Sequence, residues 1–205
     1  MFAMEPHDLL VISSWKDLQT KKNEPIPMWV KTSLDTAPIV VVRRAKTFAN
    51  NIPVGVRGCK RRERFATYVS PQSVKILYRP SDLLQLGSEY LYLPQARVTF
   101  QKIQSLFDQK LNWGPAGSAG YEIASRQIIM NAESDFDIVI DPHKPLGIKE
   151  AQTLVEKMDF FPMYVDTQVK VSRGSFSLRE WAKGKEVMLK STNGPLLVND
   201  PWSIG

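Results

Sequence analysis

The sequence predicts an α+β fold in two parts, and three observations carry that reading. Short β-branched runs separated by turn residues recur between Pro38 and Tyr78. Pro and Asp then interrupt the pattern at Arg79-Pro80-Ser81-Asp82. Beyond the break, amphipathic helical stretches alternate with apolar strand-like segments. The expected organisation is a small strand-rich N-terminal domain over residues 1–80 and an α/β domain over residues 81–205.

The first strand is Pro38-Ile39-Val40-Val41-Val42, a run of side chains that suit a pleated surface. Ile52-Pro53-Val54-Gly55-Val56, Phe65-Ala66-Thr67-Tyr68-Val69 and Val74-Lys75-Ile76-Leu77-Tyr78 follow at short intervals. Asn50-Asn51, Gly58 and Ser70-Pro71 punctuate them, so an antiparallel sheet is expected. From Pro94 to Leu111, Phe100, Ile103, Leu106, Phe107 and Leu111 recur every three or four positions, which predicts a helix. The Asn112–Ser118 segment leads into a short helical stretch through Ile123. Ser134 to Ile140 reads as a strand ended by Asp141-Pro142, and Ile148, Ala151, Leu154, Val155 and Met158 mark one face of a second helix. Met163 to Val169 is a further strand, Leu178 to Ala182 a short helix, and Glu186 to Lys190 a last strand. Alternating strands and helices place the polar chemistry at strand ends.

Composition narrows the class. The chain of 205 residues is 43% hydrophobic and 23% charged, which excludes a disordered chain, a collagen-like repeat and a disulfide-rich mini-protein. The single Cys59 allows neither an internal disulfide nor a cysteine-rich zinc site. No apolar run approaches the ~20 residues that span a bilayer. Met1 to Asp8 has no basic cluster and does not read as a signal peptide, so a cytoplasmic protein without membrane association is expected.

Charge is placed unevenly. The formal net charge is +6, from 27 Lys and Arg against 21 Asp and Glu. Between Arg43 and Arg64, eight bases (among them Arg43, Arg44, Arg61, Arg62 and Arg64) face only Glu63, a local +7 that leaves −1 for the rest. Such a segment suits a polyanionic partner, whether nucleic acid, a phosphate-rich cofactor or an acidic protein, or simply a solvated basic face. Arg43 and Arg44 end an apolar strand, where functional groups are favourably presented.

Asp135 and Asp137 are the first candidates for chemistry. On a strand, residues two apart project from one face, so the two carboxylates converge. They are either a solvent-facing pair or, with a cation to neutralise them, ligands of Mg²⁺. Asp166 lies in another apolar strand, where an unpaired carboxylate is costly. Gly117-Ser118 precedes a helix and offers backbone N–H groups and a hydroxyl to a phosphate, whereas Gly87-Ser88 reads as a turn. Together these parts suit metal-assisted phosphoryl or nucleotidyl transfer. Lys190, on a strand near the acids, would touch phosphate or neutralise a carboxylate. His7 and His143 have no partner spacing, and Tyr121, Trp181 and Trp202 read as packing residues before adenine-stacking ones.

The Gly-Ser … Asp-x-Asp … Asp order resembles the polymerase-beta-type nucleotidyltransferase superfamily. A finer likeness is to the phosphoribosyl-dephospho-CoA transferases, the holo-acyl-carrier-protein synthases of malonate decarboxylase. It rests on Val41-Val42-Arg43-Arg44, on Ile52-Pro53-Val54-Gly55 with the basic run, and on Gly117-Ser118 with a 16-residue gap to Asp135. It continues through Ser134-Asp135-Phe136-Asp137, Asp166-Thr167-Gln168-Val169, Gly174, Glu180-Trp181, Leu189-Lys190, Gly194-Pro195-Leu196 and Pro201-Trp202. Tyr121-Glu122 and Ser125-Arg126 depart from it, standing where the family pattern has Trp-Gln and Thr-Gly.

The resemblance implies a nucleotidyltransferase α/β domain after the strand-rich one. It also implies transfer from 2′-(5″-triphosphoribosyl)-3′-dephospho-CoA to a serine of the apo acyl carrier subunit of malonate decarboxylase, with pyrophosphate leaving. Asp135 and Asp137 would hold Mg²⁺, Asp166 would bind the catalytic metal and accept the serine proton, and Gly117 and Ser118 would grip pyrophosphate. Arg43, Arg44, Arg64 and Lys190 would meet substrate phosphates or the carrier. Two rivals are a nucleoside-triphosphate-dependent nucleotidyltransferase and a nucleic-acid-binding module built on the basic segment. The second leaves the carboxylates without a purpose.

Overall fold

A computed structural model describes residues 4–20, 24–58, 60, 62–107 and 111–203. The chain divides into two units between Arg79 and Pro80. The single Cys59 and Arg61 of the basic segment lie outside the described residues. Among the described residues no helix is long and apolar enough to cross a membrane.

The first unit contains β1 (Leu9–Ile12), β2 (Leu18–Gln19), α1 (Met28–Thr36), β3 (Ile39–Val42), β4 (Ile52–Arg57), β5 (Arg64–Val69) and β6 (Val74–Tyr78). Its strands form one antiparallel sheet in the order β2-β5-β4-β3-β1-β6. Val30 and Leu34, one helical turn apart on α1, are buried with Leu10, Val40, Val54 and Val69 in a single core. Four of these strands match the β-branched runs of the sequence. The sequence reading lacked β1, β2 and α1, and for α1 the cause is local. Pro27 precedes the helix without a side-chain cap, so the usual start signal is missing.

The second unit contains α2 (Pro94–Phe107), β7 (Asn112–Pro115), α3 (Gly117–Ser125), β8 (Phe136–Asp141), α4 (Ile148–Met158), β9 (Val165–Val171), β10 (Gly174–Ser177), α5 (Leu178–Ala182), β11 (Val187–Ser191) and β12 (Gly194–Val198). The sheet order is β12-β11-β10-β9-β8-β7. Only β8 and β9, joined across α4, run parallel, and the remaining pairs are antiparallel. The expected α/β alternation therefore describes one crossover, while hairpins build the rest of a mixed sheet. Strand β12, absent from the sequence reading, contains Pro195 and occupies the sheet edge, where a residue without an N–H is tolerated.

Strand alternation gives this sheet two unlike faces. Phe136, Ile138 and Ile140 on β8, Val165, Thr167 and Val169 on β9, and Phe176 on β10 are all buried. Buried side chains from the helices, among them Phe100, Phe107, Ala151, Met158, Leu178 and Trp181, complete this core. Trp113 meets Phe100 and Phe107 at ring-centroid distances of 5.6 and 5.7 Å. The intervening residues, Asp137, Asp141, Asp166, Gln168, Lys170, Ser175 and Lys190, fall by register on the other face. A period of two thus sorts the apolar core from a polar face that carries every carboxylate singled out in β8 and β9.

Candidate active site

Asp137 and Asp166 are direct partners across the parallel β8–β9 ladder. Both are half-buried and each is the second residue of its strand, so their side chains emerge side by side at one end of the sheet. Asp135 is exposed and stands just outside β8. The ladder begins one residue later, where Phe136 N–H donates to Tyr164 O at 2.8 Å. No three Asp, Glu, His or Cys groups among the described residues gather closely enough to hold a metal ion. Of the three aspartates, the fold brings two into register and leaves the third in the irregular segment ahead of them.

Gly117 opens α3 at φ +52°, the left-handed region that glycine enters without penalty. A Cβ there would lie 1.9 Å from Asp137 Oδ2, so the carboxylate fills the space that glycine leaves. Ala116 N–H donates to Asp137 O at 2.9 Å, tying the start of α3 to β8. No side chain caps α3, and Ser118 is half-buried in its first turn. The positive end of the helix therefore faces the carboxylate face of the sheet, where a phosphate or a metal-bound oxyanion is favoured. Gly117, Ser118 and Asp137 form one local unit, as their order in the sequence suggests.

Lys190 meets an amide here, not a carboxylate. Its Nζ donates to Gln168 Oε1 at 3.2 Å, and Ser175 Oγ donates to the same oxygen at 3.4 Å. At the far end of the face, Lys170 Nζ pairs with Asp141 Oδ2 at 2.9 Å. Sequence reasoning gave no role to Gln168, Asp141 or Lys170. Counting in twos from Asp166 and Asp137 would have found them, because they share that face.

The arginines belong to the first unit. Arg43 is exposed directly after β3, with its N–H bonded to Pro53 O at 2.8 Å. Arg44 is half-buried, and burial lowers its pKa below the usual guanidinium value. Arg64 is exposed at the start of β5 and faces Arg57 across the β4–β5 ladder. Like charges directly opposite disfavour one another unless an anion or acid lies between them. Arg62 stands exposed in the same hairpin turn.

The aromatics are packing residues. Tyr121 and Trp181 are buried, and Trp181 Nε1 donates to Leu146 O at 2.8 Å. Trp202 packs edge-on against Phe176 at 5.3 Å. The departures at residues 121–126 are also structural. Glu122 is fully buried, and Arg126 caps α3 at φ 58°, with its guanidinium 4.7 Å from the Tyr90 ring centre. Arginine thus holds a left-handed position that favours glycine.

Comparison with known proteins covers nearly the whole chain. Residues 85–201 match the family model of the phosphoribosyl-dephospho-CoA transferase MdcG C-terminal domain, and residues 5–80 that of the N-terminal domain. A phosphoribosyl-dephospho-CoA transferase of Pseudomonas putida (strain GB-1) is 34% identical over 204 residues, 99% of this chain and 97% of that protein. One from Pseudomonas aeruginosa is 34% identical over 202 residues, covering 98% of this chain and 94% of its own length. Another, from Klebsiella pneumoniae (strain 342), is 32% identical over 201 residues, with 96% and 95% covered. No solved structure matches.

Proposed function

From its place in the phosphoribosyl-dephospho-CoA transferase family, to which the chain belongs, we propose that this transferase primes a carrier protein for malonate decarboxylase. The donor is 2′-(5″-triphosphoribosyl)-3′-dephospho-CoA and the acceptor a serine hydroxyl of the apo acyl carrier subunit. The hydroxyl oxygen attacks the α-phosphorus, the bond to the β-phosphate oxygen breaks, and pyrophosphate leaves. The serine proton passes to a base, and a phosphodiester joins the prosthetic group to the carrier. The observation that carries this reading is the in-register pair Asp137–Asp166 beside the Gly117 turn.

A polymerase-beta-type nucleotidyltransferase domain is part of the proposal. Its support is the order of parts: an uncapped helix start at Gly117-Ser118, then Asp137 on β8, then Asp166 on the parallel neighbour β9. The donor set fits Mg²⁺, since its oxygens are hard and two carboxylates leave room for water and substrate phosphates. Asp137 and Asp166 would hold the ion, with Asp135 joining them from the exposed segment before β8. When bound, Mg²⁺ supplies charge neutralisation for the triphosphate. Asp166 would also accept the serine proton. The first turn of α3 grips the departing pyrophosphate through Gly117 N–H and Ser118. Gln168 fixes Lys190 on the same face as a phosphate partner. Arg43, Arg44 and Arg64 contribute cations for the substrate's phosphates or the carrier. A cytoplasmic location accompanies this reading.

The test is direct. Apo carrier incubated with the triphosphoribosyl donor and Mg²⁺ should gain the mass of the prosthetic group at one serine, with one pyrophosphate released per event. An unmodified serine would sink the proposal, and preference for a nucleoside triphosphate would redirect it to another nucleotidyl donor.

Gly117 gives a second test. In Gly117→Ala the new methyl collides with Asp137 Oδ2 and the backbone is held at φ +52°. Turnover is expected to fall about 10²-fold through displacement of the carboxylate. Stability should fall by only ~1–2 kcal/mol. Denaturant unfolding and steady-state rates measured on the same preparation separate the two effects, and unchanged turnover would remove Gly117 from the site.

A further inference from the structure

We propose that the surface between α2 and the loop at residues 159–164 docks the acyl carrier protein, through a carrier face of carboxylates around an apolar centre. The inference rests on the transfer reaction proposed above and assigns the acceptor's seat.

A groove of about 540 Å³ lies there, lined by Val98, Lys102 and Leu106 of α2 and by Lys157, Phe160 and Phe161 at and after the end of α4. Phe160 is 85% exposed and Val98 41% exposed. Clustered apolar side chains presented to water in this way mark an interaction surface more often than a lone exposed residue does. The loop is also held in shape. Arg179 Nη1 pairs with Asp159 Oδ1 at 2.7 Å, the same guanidinium lies 4.4 Å from the Tyr164 ring centre, and Phe161 N–H donates to Met158 O at 3.0 Å. A patch fixed before binding loses less entropy when it is covered.

Charge selects the partner. The charged residues that line the groove are Lys102 and Lys157, and helix α2 carries not one carboxylate, while Glu156 is exposed beside Lys157 outside the lining. Lys102 Nζ lies 5.7 Å from the Phe161 ring centre, and Lys157 is exposed on the other rim. The nearest acid in the loop, Asp159, is already paired with Arg179. An apolar centre with a basic rim is complementary to an apolar centre with an acidic rim. A second copy of this chain would bring the same lysines and lacks that complement.

Position supports the assignment. The loop runs directly into β9, whose second residue is Asp166. Tyr164 O accepts the N–H of Phe136, the neighbour of Asp137. A carrier seated on the loop therefore lies at the strand end that bears the two carboxylates, on the helix-covered side of the sheet, and its serine segment reaches them around the starts of β8 and β9.

The experiment compares wild type with Lys102→Glu/Lys157→Glu and with Phe160→Ser, all at exposed positions. Initial rates are measured against apo carrier and, separately, against the triphosphoribosyl donor. KM for the carrier is expected to rise about tenfold or more in each variant. KM for the donor and kcat at saturating carrier should stay unchanged. In wild type, KM for the carrier should also rise with salt, and less so in the charge-reversed variant. Carrier KM unmoved in both variants overturns the docking site alone. A wild-type dimer that dissociates on Phe160→Ser, seen by sedimentation, would overturn it in favour of self-association. No transfer by wild type overturns the reaction reading and this inference together.

Discussion

Asp137→Asn is expected to remove transfer almost completely while leaving the fold intact. The side chain keeps its size and one acceptor oxygen, so it can still occupy the space beside Gly117. What disappears is the negative charge on the polar face, next to Asp166. With catalysis resting on positioning and charge neutralisation, the rate should fall on the order of 10³-fold. The unfolding midpoint should stay within about 3 °C of wild type. Pyrophosphate release in single turnover measures the first quantity and thermal unfolding the second. Retention of more than a tenth of the wild-type rate would displace Asp137 from the centre of the reaction.

Asp166→Asn should cause a loss of similar size but with a different pH signature. If Asp166 takes the serine proton, its loss leaves that proton to solvent hydroxide. The residual rate should then climb with pH, about tenfold per unit at the limit. The remaining Asp137→Asn activity, with the base intact, should not climb in that way. Matching pH profiles for the two variants would show that both aspartates act only as ligands or charges.

The parts of this picture that local chemistry determines were legible in the sequence. β-Branched runs located β3 to β6, and period-two spacing placed Asp137 on a strand face between buried Phe136 and Ile138. A strand holding Asp166 was expected after the amphipathic α4, whereas its parallel register with Asp137 is given by the ladder itself. What was not legible depends on partners distant in sequence. Strand β10, Gly174-Ser175-Phe176-Ser177, has little strand propensity, and its pairing with β9 holds it in place. Strand β12 contains a proline that only an edge position explains. The spacing also led to the expectation that Asp135 converges with Asp137, and there it overreached. The i, i+2 rule holds inside a ladder, and Asp135 lies before the ladder begins.

Glu122 shows the same dependence on distant partners. At 0% exposure, its carboxylate accepts Tyr92 N–H at 2.7 Å, Ile129 N–H at 2.8 Å and Met130 N–H at 2.7 Å. It thereby ties two separate stretches of backbone to α3. Glu122→Ala strands all three donors in a dry site and opens a void, so about 3–5 kcal/mol of stability should be lost. Glu122→Gln puts the residue type of the family pattern at this position. The amide oxygen can serve the Ile129 and Met130 donors from the Oε2 position while the NH₂ faces Tyr92 N–H. One bond is lost and two donors oppose each other, which costs about 1–3 kcal/mol. The order wild type, then Gln, then Ala in denaturant midpoints is the expected result. Equal losses for Gln and Ala would mean that charge, not acceptor count, holds the loops. Turnover per folded molecule should change little in the Gln variant, because the Ala116–Asp137 bond and the Gly117 turn hold the start of α3 independently of Glu122.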